Sequence, residues 1–114
     1  MAPERLSPTA RSLVAETGNV LFFSQVSMWE ICLKYHLGKL RLSEPPAAYL
    51  RKRIRQSELT YEPIADEALF RTVDLPSHHR DPFDRLLIAS AQVLGIPILT
   101  IDETFRRYPV EIIW

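Results

Sequence analysis

Cysteine is almost absent from this chain, with Cys32 the one thiol in 114 residues. A lone cysteine closes no internal disulfide, so folding asks for no oxidising compartment and the cytoplasm is the expected location. Glycine is scarce too, at three residues, too few for a loop that cradles phosphate through bare backbone amides. No apolar run approaches the roughly 18–20 residues that cross a bilayer, so no membrane association is expected. The first six residues lack the basic-then-apolar order of a secretory signal. An excess of charge is also missing. Fourteen Lys and Arg balance fourteen Asp and Glu, so nothing draws the chain as a whole to nucleic acid and any such attraction must be local. The densest basic run is Arg51-Lys52-Arg53-Ile54-Arg55, for which a solvated helix face is the favoured reading. His36, His78 and His79 have no zinc-ligand spacing and read as surface histidines.

What remains is the make-up of a globular protein, 46% hydrophobic and 25% charged, of a length expected for a single domain over 1–114. Helix and strand signals alternate. Ser7-Pro8 has the form of an N-cap followed by proline at the first helical position, and a helix over 7–16 would turn Ala10, Leu13 and Val14 inward. Residues 20–23 form a short apolar run expected of a strand buried on both faces. Ser24 caps a helix over 26–37 that Gly38 ends. Pro45-Pro46 opens a helix to about Gln56, 59–64 reads as a short strand, and 65–73 is helical. A helix over 82–95 follows, then strands over 97–100 and 110–113, with one or two helical turns in 103–107. Strands separated by helices imply an α/β sandwich with a mostly parallel central sheet, and ligands bind beyond the carboxyl ends of such strands. Ser24 and Asp102 lie at such ends.

Carboxylates on apolar faces are the next signal. On a helical wheel Glu30 falls with Val26, Leu33 and Leu37, beside Trp29. A carboxylate there needs a partner, a proton or a metal; the alternative is an edge position reaching water or Lys34 one turn on. Asp81 precedes Pro82 and reads as an N-cap. Asp84 sits at the third helical position, where the dipole favours an acid, yet it shares a face with Leu87, Ile88 and Ala91, which favours function. Asp102 reads as another N-cap or as a third acid converging with Glu30 and Asp84. Three carboxylates without cysteine make a hard oxygen site suited to Mg²⁺ or Mn²⁺. Cys32, Met28, Trp29 and Tyr35 read as packing residues.

Ser27-Met28-Trp29-Glu30-Ile31 with Leu37-Gly38-Lys39-Leu40, the run from His78 through Asp81-Pro82-Phe83-Asp84-Arg85 to Ala89, and Leu99-Thr100-Ile101-Asp102 with Phe105, Tyr108, Val110 and Trp114 together resemble a PIN domain of the VapC type, a toxin of bacterial type II toxin–antitoxin pairs. The resemblance covers nearly the entire chain. It implies a PIN-like α/β/α sandwich and an endoribonuclease that uses Mg²⁺ or Mn²⁺ to hydrolyse RNA phosphodiesters. Carried over by position, Glu30, Asp84 and Asp102 are metal-binding and catalytic, Thr100 supports them, and Arg80 and Arg85 meet RNA phosphates. It also implies an antitoxin of the VapB type and a homodimer as partners.

The sequence departs from the family at its start. The family opens with a buried strand ending in an aspartate that anchors the metal. Here Pro3 to Pro8 resemble the stretch just after it, and neither Glu4 nor Glu16 can substitute. The expectation is a domain lacking its first strand, through a late start or a 5′ truncation, with cleavage impaired. The rival expectation is a non-catalytic PIN-like protein that keeps the antitoxin-facing or dimer-forming surface. A third, an unrelated small-molecule site, would need a pocket away from the three acids.

Overall fold

Parallel strands cannot be joined by a tight turn, so each needs a crossover, and the helices here supply it. A computed structural model describes residues 7–16, 18–78, 80–99, 105 and 107–113. The chain divides into two compact units, Val20–Ile64 and the combined stretches Met1–Asn19 and Ala65–Trp114. The architecture is α/β.

In the unit Val20–Ile64, β1 (Phe22–Ser24) leads into α2 (Gln25–His36), then α3 (Pro46–Gln56) and β2 (Thr60–Glu62); the helix before them, α1, spans Pro8–Ala15. β1 pairs parallel with β2, Phe22 opposite Thr60 and Ser24 opposite Glu62. Ser24 ends the strand and starts the helix, its Oγ accepting the Val26 amide at 3.1 Å. Gln25 Oε1 accepts the Ile64 amide at 2.8 Å, tying the chain after β2 to the start of α2. Gly38, at φ +73°, closes α2. Its amide reaches the Tyr35 carbonyl at 3.1 Å while Lys39 reaches that of Lys34 at 2.9 Å, the paired bonds of a left-handed cap. The end of α3 repeats this arrangement with a non-glycine residue. Glu58 takes φ +53°, and the amides of Glu58 and Leu59 reach the carbonyls of Arg55 and Ile54.

Two sequence expectations are corrected here. The strand expected to be buried on both faces is not, since Phe22 is exposed and Val20, just ahead of it, is 65% exposed. The apolar stripe of α2 is buried only at Val26; Trp29 is 54% exposed, Leu33, Tyr35 and Leu37 are exposed, and so is the Cys32 thiol. The reason is coverage. Twelve helical residues extend about 18 Å, and the elements that touch α2 within its unit, β1 and α3, leave Val26 buried but most of the stripe in solvent.

In the other unit, α4 (Asp66–Arg71), a 3₁₀ turn (Thr72–Asp74), α5 (Pro82–Leu94), β3 (Ile98–Leu99) and β4 (Ile112–Ile113) follow in order after α1. The side chains of Ala10, Leu13 and Val14 lie outside those described. The expected helix over 65–73 tightens at its end, where Thr72 Oγ1 donates to the Leu69 carbonyl at 2.6 Å and so competes with the helical ladder. α4 packs on α5, whose inner face buries Leu86, Ile88, Ala89 and Ala91; Ala68, Leu75, Phe105 and Tyr108 complete this unit's buried set. Full burial of Ile88 contributes about 2–3 kcal/mol. β3 and β4 pair parallel, Ile98 opposite Ile112. Both begin later than expected. Pro97 has no amide to give a ladder, and Val110 donates instead to the Tyr108 carbonyl at 2.7 Å. Among the described residues the strands form two parallel two-stranded ladders, one in each unit, consistent with the α/β sandwich of parallel strands that the sequence implies.

Candidate active site

The start of α5 is built by Asp81. Its Oδ1 accepts the amide of Phe83 at 2.8 Å and that of Asp84 at 3.4 Å, and Pro82 fills the first helical position, where a missing amide costs nothing. This is the N-cap read from the sequence. Because Asp81 does the capping, capping does not account for the Asp84 carboxylate one turn into the helix. Asp84 is half-buried, on the same side as the buried Ile88 and Ala91, which is the placement its spacing suggested.

Glu30 belongs to the other unit. It is half-buried on α2, and its Oε2 lies 3.2 Å from Lys34 Nζ. The pairing one turn along the helix, left open by the sequence, is therefore present. A pair this exposed, with Lys34 half in solvent, contributes at most about 0.5 kcal/mol. The bridge is weak enough for a stronger cation to displace.

Thr100 and Asp102 lie outside the described residues, as does His79. Among the described residues no three His, Cys, Asp or Glu side chains form a group able to hold a metal ion. Glu30 and Asp84, in separate units, are each oxygen donors of the kind a hard divalent cation takes, so the chemistry of each donor fits Mg²⁺ or Mn²⁺.

The two arginines expected to meet phosphate differ sharply. Arg80 is exposed just ahead of α5. The guanidinium of Arg85 instead donates to three backbone carbonyls, with Nη1 on Pro76 at 2.8 Å and Nη2 on Thr72 at 2.8 Å and Leu75 at 3.2 Å. Five fixed donors suit it to gathering carbonyls left over at the end of a helical turn. Phosphate binding is not the role this geometry supports. Spacing alone did not disclose it, since the acceptors are main-chain atoms; the only hint was an arginine one residue after a candidate catalytic acid, facing a Leu-Pro stop.

A cleft of about 330 Å³ in this unit is lined by Arg71, Gln92, Gly95, Pro97 and Glu111 among others. Neither Glu30 nor Asp84 lines it. Arg71 is already hydrogen-bonded there to Gln92 Oε1 at 3.3 Å. No helix is long and apolar enough to cross a membrane among the described residues.

Comparison with known proteins adds two findings. A 46-residue stretch is 41% identical to Ribonuclease VapC16 of Mycobacterium tuberculosis, covering 40% of this chain and 33% of that relative. The PIN domain family model matches residues 2–111, a span that takes in both compact units and every acid discussed above. On that match, the chain belongs to the PIN domain family.

Proposed function

We propose that this chain is a toxin-type endoribonuclease of the VapC kind, hydrolysing RNA phosphodiester bonds with Mg²⁺ or Mn²⁺, and that residues 1–114 form one PIN domain. The observation that carries the reading is the half-buried Asp84 set behind a helix cap that does not need it. The match to the family across 2–111 and the likeness to a named ribonuclease support it. Glu30, Asp84 and Asp102 hold the cation, and Thr100 supports them. When bound, the cation orients a water and neutralises charge on the leaving oxygen. The carboxylates bring the negative charge that attracts a hard cation, and the apolar side of α5 holds Asp84 in place. Glu30, now paired with Lys34, would turn to the metal when it is bound. Arg80 lies free of the helix ladder, suited to a substrate phosphate. The site works in the cytoplasm, and an antitoxin of the VapB type restrains it.

The test is cleavage of a structured RNA with Mn²⁺ by the chain and by Asp84→Asn. Cutting by the former that is lost in the latter is the expected result; equal cutting by both would sink the reading.

A second reading, a non-catalytic PIN-like protein that binds an antitoxin or a second copy, draws on the exposed stripe of Trp29, Leu33 and Leu37 along α2. No cutting from either chain, with antitoxin binding intact and weakened by Leu37→Gln, would favour it.

A further inference from the structure

Helix α3, PAAYLRKRIRQ, carries four cations and no anion, in a chain whose total charge is zero. Val20–Ile64 holds seven Lys and Arg against four Glu, a net +3, so the balance of the whole conceals a basic unit. At 100° per residue, Arg51, Lys52 and Arg55 lie within about 100° of the helix circumference. Leu50, buried, lies roughly 150° from the middle of that arc. All three cations are exposed, and so is Ala48 between them.

Cations in the last turn of a helix complement its dipole, which accounts for Arg53 and Arg55. It does not account for Arg51 and Lys52 in the middle, nor for the repulsive spacing of Arg51 and Arg55 four residues apart. Arg53 is turned away from the arc, its guanidinium 5.1 Å from the centre of the Tyr49 ring. Among the described residues Lys52 alone of the three has an acid, Glu44 Oε1 at 3.0 Å, and that pair is exposed.

We infer that the Arg51, Lys52 and Arg55 face of α3 binds the phosphate backbone of RNA, an inference that rests on the ribonuclease reading for the identity of the polyanion. A protein partner is the poorer fit. Protein interfaces enrich arginine as well but are built on aromatic and apolar anchors, and Ala48 is the only apolar side chain on this arc. Polyanion binding needs no such anchor, because its free energy comes largely from counterions released as phosphates are neutralised. The face carries no base-reading geometry, so it positions RNA without selecting sequence.

The test measures binding of a labelled single-stranded oligoribonucleotide in EDTA, as a function of salt, by the full chain and its variants. The triple variant Arg51→Gln, Lys52→Gln, Arg55→Gln should bind about tenfold more weakly, with the slope of log K against log salt reduced by about 2. Glu44→Gln, which frees Lys52, should bind more tightly; this opposite sign excludes misfolding as the cause. Unchanged affinity and slope in the triple variant would overturn the inference, as would no RNA binding by the unaltered chain. A triple variant that loses poly-glutamate binding while keeping RNA would overturn it in favour of an acidic protein. If RNA is held through α3 but never cut, the nuclease reading fails and this one stands; if the triple variant binds and cuts normally, the reverse holds.

Discussion

Arg85 and Tyr108 donate to the same atom, the carbonyl oxygen of Pro76, at 2.8 and 2.7 Å. The chain reverses there between the 3₁₀ turn and α5, and the Leu75-Pro76 stop leaves carbonyls that no helix satisfies. Arg85 collects three of them from one side and the buried Tyr108 anchors the same loop from the other. His78 closes the group edge-on against the Tyr108 ring, with centroids 5.3 Å apart. The loop that leads into Asp81 and Asp84 is thereby held by side-chain donors on its main-chain carbonyls.

Arg85→Ala should therefore destabilise the fold by about 2 kcal/mol, as two part-buried carbonyls and one exposed one lose a charged donor. Tyr108→Phe should cost about 1 kcal/mol. The shared acceptor makes the two effects non-additive. Urea unfolding of both single variants and the double variant measures this; an Arg85→Ala variant of unaltered stability but weakened RNA binding would return Arg85 to the phosphate-binding role.

The two acids at the start of α5 should separate cleanly. Asp81→Ala removes the acceptor of two amides and should cost about 1–2 kcal/mol, while Asp81→Asn keeps an acceptor and should be near neutral in both stability and cleavage. Asp84→Asn should leave the melting temperature nearly unchanged and abolish Mn²⁺-dependent cutting. Thermal melts read beside cleavage assays distinguish them.

Lys34→Gln breaks the only ion pair seen for Glu30 among the described residues. Its stability should shift by no more than about 0.5 kcal/mol. With the competitor gone, Mn²⁺ should bind about twofold more tightly, as read by the loss of free-ion spin-resonance signal during titration. Weaker Mn²⁺ binding would mean that Lys34 shapes the site.

Glu58 occupies a left-handed conformation, φ +53°, which costs a residue bearing a Cβ about 1 kcal/mol. Glu58→Gly should raise stability by about 0.5–1 kcal/mol, and Gly38→Ala, at φ +73°, should lower it by a similar amount. Shifts in the denaturant midpoint at constant slope are the measure.

Local rules made much of this protein legible without coordinates. Ser24 and Asp81 as caps, Pro82 at the first helical position and Gly38 as a helix stop follow from spacing, because each depends on atoms within one helical turn. Family membership was legible for a similar reason, in short runs such as Asp81-Pro82-Phe83-Asp84-Arg85. Other features depend on contacts between distant parts of the chain. How much of the α2 stripe is covered depends on which elements pack against it, and Trp29 and Cys32 proved exposed. The duty of Arg85 depends on carbonyls supplied 9 to 13 residues away, which no pattern of side chains records. Periodicity reports which face of a helix is apolar; only the packed chain determines how much of that face another element reaches.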